Sequence, residues 1–376
     1  MDNKLRWLNA LADYFICLLF ILLTNFLLFH QRLYQYICKV ESYAGNVYGR
    51  MAVLEETEKD TGRRPIALIG DSHVEEGIGA RQLSELTGLP VVNLALPGTG
   101  PLVWLHYLRS IDPDRDRFRA VIILVTVTSA RSDAHDDGAQ SLLPVAKTAE
   151  LLSYVAQFQR PDLKREYYYG SVDRVYGFRR DLQDLILHPS RLLTVGKERK
   201  AFQQKLRDWP GETFDVCGVK RDLQTGKILQ WGNLRNPAFR RLAQHHSRVG
   251  VRLNHKPEAG GLTVPLSKIL EYYSESTTQI VIITSPFGLD HRVDQSATAL
   301  RPYFDFLRHA AAQPGVLHWN ATGEPLFHDC SNFFDYRHFN AKGRTLFTAR
   351  LAKEIVGADG FRPLDLGARR APLRSR

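Results

Sequence analysis

The sequence predicts an α/β domain built on a parallel sheet, and three features carry that expectation. Ala120–Val127 (AVIILVTV) is an uninterrupted apolar, β-branched run of the kind buried on both faces of a parallel sheet. Short runs of the same character recur at Ile66–Ile69, Val91–Leu96, Gln279–Thr284 and Val316–Trp319. Helical patterns separate them, the last being Ala341–Val356, and strands alternating with helices make parallel crossovers.

The elements follow in order. Residues 1–30 read as a membrane anchor: Trp7 to Phe29 is WLNALADYFICLLFILLTNFLLF, with Asp13 and Asn25 near its ends. Roughly 20 helical residues cross a bilayer core. A cleaved signal peptide is the rival, but no small-x-small site follows, and His30, Gln31 and Leu33 are poor substitutes for one. Lys4 and Arg6 precede the span while Arg32, Lys39 and Arg50 follow it, so charge alone does not orient it. Residues 31–60 are expected to be a polar, helical juxtamembrane linker, and residues 61–130 the first part of the α/β domain. About 150 residues without strand rhythm then separate the third and fourth strands, far more than an ordinary crossover. Residues 131–277 are therefore expected to be a basic helical insertion. Residues 278–356 complete the domain, and 357–376 form a Gly-, Pro- and Arg-rich tail expected to be disordered.

With 44% hydrophobic and 24% charged residues, the chain is a folded body and not a polytopic membrane protein. Fifty Lys and Arg against forty Asp and Glu give a net charge of +10 and favour anionic partners. Within the insertion, Arg160 to Asp208 carries a local excess of five positive charges among aromatic residues. Arg179 and Arg180 are the candidates there for holding an anionic polymer or lipid head group; the alternative is solvated faces of amphipathic helices. Four cysteines with no CxxC spacing exclude a disulfide scaffold and disfavour structural zinc. Cys217 and Cys330 are the pair available for a disulfide in an oxidising compartment, and the sequence leaves that open. His318, His328, Asp329 and Cys330 form a loose cluster whose spacing suits no metal. Neither GxxxxGK nor GxGxxG is present, and no cofactor is expected.

Chemistry concentrates at two places. Gly70-Asp71-Ser72-His73 follows a buried strand and opens a helix, which puts Ser72 at the carboxyl edge of the sheet, where open α/β folds keep their sites. The helix start supplies unpaired N–H groups and a positive dipole end suited to an oxyanion. A serine there is ordinarily an N-cap. Asp335-Tyr-Arg-His338-Phe-Asn340 stands just before the last helix. An Asp three residues before a His can reach its Nδ1–H and hold the tautomer, leaving Nε2 to deprotonate a serine, which is a weak nucleophile without such a base.

Together these blocks resemble those of the SGNH (GDSL-type) hydrolase superfamily. Gly70–His73 is similar to its first block, Asn93-Leu-Ala-Leu-Pro-Gly98 to its second, and Asp335-x-x-His338-x-Asn340 to its last, in the right order. The likeness covers roughly residues 66–130 and 278–356, under half of the chain. It implies a three-layer α/β/α, flavodoxin-like fold, with Ser72 as nucleophile, His338 as base, Asp335 as its orienter, and the Ser72 and Gly98 N–H groups in the oxyanion hole. Asp71, His73, Asn93 and Asn340 are secondary positions of the same blocks. One feature departs: where the family has Gly-x-Asn-Asp after the third strand, this chain has Thr126-Val-Thr-Ser129. Losing one oxyanion donor costs about 3–4 kcal/mol of transition-state stabilisation.

The anchor, the basic insertion, GDSH and the missing Asn look most like the membrane-anchored envelope branch, the DltD-like and alginate-acetylation-like proteins. That likeness implies an acyltransferase or esterase working outside the cytoplasm on acetyl or D-alanyl esters of envelope polysaccharide. Its implied partners are that polymer and a membrane-bound O-acyltransferase, not nucleic acid. Two alternatives remain: a carbohydrate O-acetyl esterase, and a non-catalytic scaffold that binds a polymer or partner.

Overall fold

The computed structural model of the protein describes residues 2–30, 33–126, 136–221, 228–231, 240–241, 259–286, 288–289 and 300–357. Its strands are β1 (Ile66–Ile69), β2 (Val91–Asn93), β3 (Ala120–Thr126), β4 (Val219–Arg221), β5 (Ile228–Trp231), β6 (Gln279–Ser285) and β7 (Val316–Asn320). Five of them form one parallel sheet in the order β2-β1-β3-β6-β7. The protein is thus α/β with a parallel sheet, as its strand runs predict.

The registers explain why those runs are uninterrupted. Ala67, Ile69, Val121, Ile123, Ile280 and Ile282 enter one hydrophobic core, while the alternating Ile66, Leu68, Ile122, Leu124, Val281 and Ile283 enter a second. A strand with a core on each face has no polar side, so period-two alternation disappears from its sequence. Each such Leu or Ile side chain contributes roughly 1.5–3 kcal/mol when fully buried. The first core is closed by the helices Pro101–Ile111, Ala259–Tyr273 and Arg301–Ala311, and the second by Ala80–Thr87 and Ala341–Gly357.

Four features differ from expectation. β2 stops at Asn93, because the Asn93 side-chain oxygen accepts a hydrogen bond from Ala95 N (3.1 Å) and turns the chain. Leu94 and Leu96 still donate to Leu68 O and Gly70 O, at 3.0 and 2.7 Å, so the loop stays against the end of β1. Residues 31–60 are helical over Tyr43–Thr61 and join the body instead of only leading to it. The helix Tyr43–Thr61 packs Val47 and Leu54 into the first core and carries a fully buried arginine, Arg50. Arg50 bonds Asn46 Oδ1 (2.7 Å) and Asn93 O (3.1 Å) and pairs with Glu75 (3.1 Å), which is how its charge tolerates burial. The described insertion residues share the first core through Leu142, Leu151, Tyr154 and Phe158, and Ala259–Tyr273 covers the sheet directly. The insertion also holds the antiparallel pair β4–β5, of three and four residues, too short to give a strand signature. Most of residues 222–258 and the tail after Gly357 lie outside the described residues.

The helix Asp2–Asn25 runs on through a π-helical turn, Phe26–His30. Leu11–Phe29, 19 residues of mean hydropathy 2.2, is long and apolar enough to cross a membrane.

Candidate active site

At the carboxyl end of β1 the chain turns through Gly70 and Asp71 into the short helix Ser72–Gly77. A Cβ at Gly70 would lie 2.2 Å from Val74 Cγ2, so the turn needs glycine there. The cap is not the serine. Asp71 is the N-cap and its side chain accepts from His73 N (2.9 Å), which leaves the Ser72 hydroxyl available for another partner.

That partner is His338. Ser72 Oγ lies 2.9 Å from His338 Nε2, and His338 Nδ1 lies 2.9 Å from Asp335 Oδ2. Asp335 Oδ1 also accepts from the backbone N–H groups of Arg337 and His338, each at 2.7 Å. A carboxylate so engaged accepts the Nδ1 proton and presents Nε2 to the hydroxyl as a base. Asp335 and His338 are both buried, while Ser72 is half-buried and can be reached by a substrate.

The loop bearing His338 has little regular structure and is fixed from outside. Cys217 and Cys330 form a disulfide (Sγ–Sγ 1.97 Å, Cα–Cα 5.1 Å). Residues 212–219, at the end of the insertion's helices, bond to the loop at four points. Val216 N donates to Phe333 O (3.0 Å) and Tyr336 Oη to Val219 O (2.6 Å). Asn340 Nδ2 donates to Phe214 O (3.1 Å) and Ala341 N to Glu212 O (2.7 Å). Phe334 stacks on the His338 ring at 5.8 Å between centroids.

The electrostatics favour charge on the imidazole. Burial opposes the imidazolium, but the charges of Asp335 and Glu76 and the Asp335 hydrogen bond outweigh it and raise the His338 pKa to about 9. Glu76 Oε2 is 3.6 Å from His338 Nδ1 and has no hydrogen-bond partner among the described residues. Burial pushes the Glu76 carboxyl up to about 7, against the pull of His338. Asp71 also suffers burial, yet His73, through its charge and hydrogen bonds, holds its pKa below the usual value.

The remaining positions divide. Pro97-Gly98 forms the centre of a β-turn closed by Thr99 N to Leu96 O (3.2 Å), with Gly98 at φ +75°, a conformation that favours glycine. His73 pairs with Asp71 Oδ1 at 3.0 Å, its ring 5.0 Å from that of His338. Asn93 and Asn340 organise backbone. Asn93 holds the turn after β2, and the Asn340 side-chain oxygen caps the last helix by accepting from Gly343 N (3.0 Å). Arg179 and Arg180 lie apart from this cluster, paired with Glu166, Arg179 also resting over the Tyr176 ring. Val127, Thr128 and Ser129 lie outside the described residues; Thr126 ends β3. The loose His/Cys/Asp set disperses: His318 meets Thr284 Oγ1 (3.0 Å), Asp329 caps Ser331, and Cys330 is in the disulfide.

Sequence reasoning missed Glu76, Arg50 and the strap at 212–219. Signals existed for Glu76, which follows Ser72 by four residues and shares its helix face, and for the strap in the Cys217–Cys330 pair.

No protein-family model matches the chain, and no curated protein matches it.

Proposed function

We propose that the protein is a membrane-anchored serine acyltransferase or esterase of SGNH type that acts through an acyl-Ser72 intermediate. The observation that carries this proposal is the line Ser72 Oγ, His338 Nε2, His338 Nδ1 and Asp335 Oδ2, with two 2.9 Å contacts at the carboxyl edge of a parallel sheet. The 2-1-3-6-7 strand order, with a separate core on each face, supports the three-layer, flavodoxin-like architecture.

In the proposed reaction His338 Nε2 takes the Ser72 proton as Oγ attacks the acyl carbon. The oxyanion forms beside the start of the Ser72–Gly77 helix and the Gly98 turn, whose N–H groups are its proposed donors. Collapse expels the donor alkoxide, which receives the proton from His338. His338 next takes a proton from the acceptor, a sugar or polyol hydroxyl in transfer or water in hydrolysis. Attack of that oxygen releases the acyl group, and the proton returns to Ser72. Asp335 stabilises each imidazolium. The chemistry uses no cofactor.

The membrane-length helix and the Cys217–Cys330 disulfide support a single-pass protein whose body lies outside the cytoplasm, where disulfides persist. Acetyl or D-alanyl esters of envelope polysaccharide are the proposed substrates, with a membrane-bound O-acyltransferase as partner.

The test is labelling of the detergent-solubilised full-length protein with a fluorophosphonate, followed by peptide mapping. Adduct on Ser72 that disappears in Ser72→Ala and His338→Ala, with unchanged thermal unfolding, is expected. A folded wild-type protein that takes no label would sink the proposal.

A further inference from the structure

The Leu11–Phe29 helix does not leave the body on a free tether. At its end Asn25 Nδ2 donates to Asp173 Oδ1 (2.8 Å), and Asn25 Oδ1 accepts from Val175 N (3.2 Å). Phe29 stacks on Phe178 with centroids 5.0 Å apart, and Tyr34 donates to Asp181 Oδ2 (2.8 Å). The level at which the apolar stretch ends is therefore fixed against three insertion helices, Pro161–Val172, Arg174–Gly177 and Arg179–Leu187.

Those helices and the start of the next, Leu192–Asp208, expose apolar side chains that a surface in water rarely gathers. Tyr168, Tyr169 and Val172 lie on one helix face and are each more than half exposed. At the turn joining Arg179–Leu187 to Leu192–Asp208, Ile186 is 77% exposed and Leu193 83%. Cations accompany them: Arg165 is exposed one turn before Tyr168 and Tyr169, and the Arg180 side chain is 73% exposed.

Aromatic and aliphatic side chains beside arginines, at the height where a spanning helix ends, match the boundary between headgroups and acyl chains. We propose that this face of the insertion rests in the headgroup layer of the bilayer, its apolar residues at the acyl boundary and its arginines on anionic lipid phosphates. The occupant is lipid, because the face adjoins the one segment of the chain built to enter lipid. Residues 160–200 carry ten Lys and Arg against six Asp and Glu, the sign that anionic headgroups attract. The inference rests on Leu11–Phe29 being a membrane span. It adds that the body lies against the membrane at a second place, so that the span and the insertion together set its tilt.

The test uses full-length protein in nanodiscs of mixed zwitterionic and anionic phospholipid carrying a trace of phospholipid with a diazirine near the glycerol. After irradiation, adducts are mapped by peptide. Adducts on Leu11–Phe29 and on peptides spanning Tyr168–Val172 and Ile186–Leu193 are expected, and Ile186→Ser with Leu193→Ser should lower those at the second site several-fold while sparing the helix. Adducts confined to Leu11–Phe29 would overturn the proposal and leave the anchor standing. Absence of adducts from both regions would overturn the anchor as well. Neither outcome bears on the chemistry of Ser72, which the fluorophosphonate reads separately.

Discussion

Ser72 stands where a buried strand meets a short helix, and its turn is set locally, between Ile66 and Gly77, by the strand, the Gly70 turn and the Asp71 cap. His338 stands in a loop placed by residues far away, through the disulfide from Cys217 and the bonds from Glu212 to Val219. The placement of Ser72, the proposed nucleophile, is thus largely local, and that of His338, its proposed base, is tertiary. The first half should resist perturbation, whereas the second should be open to it.

The sharpest way to test that contrast is Asp335→Asn. It keeps the loop's shape but removes the acceptor that fixes the imidazole tautomer. Fluorophosphonate labelling of Ser72 should fall on the order of 10⁴-fold, with thermal unfolding little changed. A loss under tenfold would mean that His338 is not oriented by Asp335.

Next in size is removal of the disulfide by Cys217→Ser with Cys330→Ser. Its cysteines are 113 residues apart, and opening a loop of that length costs on the order of 4–5 kcal/mol in the chain-entropy account. The unfolding midpoint should drop, and hydrogen exchange should rise in 330–341 while Ile66–Ile69 and Ala120–Thr126 stay protected. Uniform loosening of both regions would erase the proposed difference between the halves.

The smallest effect concerns Glu76, the carboxylate of the serine's helix that reaches across to His338. His338 is raised to about 9 partly by this carboxylate, and only the neutral imidazole takes a proton. The labelling rate should therefore climb as pH rises from neutrality. In Glu76→Gln an anion that favours the imidazolium is gone, so the midpoint should move down toward the ordinary histidine value and the neutral-pH rate should increase. An unmoved midpoint would show that Glu76 does not act on His338.

The same contrast describes what the sequence made legible. β1, β3 and β6 are readable because two-sided burial leaves an unbroken apolar run, and Ser72 because its turn lies within four letters of β1. β2 reads too long, since Leu94 and Leu96 are buried like strand residues but leave the strand after the Asn93 turn. Arg50 looked like linker charge, because nothing local announces that its partners are Asn93 and Glu75. Glu76 hid in a stretch, VEEG, that reads as a solvated helix end. Of the strap at 212–219 the sequence offered only Cys217, since its hydrogen bonds use its backbone, which carries no residue-type signal.

Ser72 and His338, the proposed nucleophile and base, are 266 positions apart in the chain. A ribosome completes the apolar N-terminal helix and the serine early and adds the histidine only when most of the body has been made. Under the proposed mechanism the growing chain carries Ser72 without its base, and a chain released before residue 338 has no imidazole to activate it. Under the proposed mechanism, the addition of His338 is the step that arms Ser72.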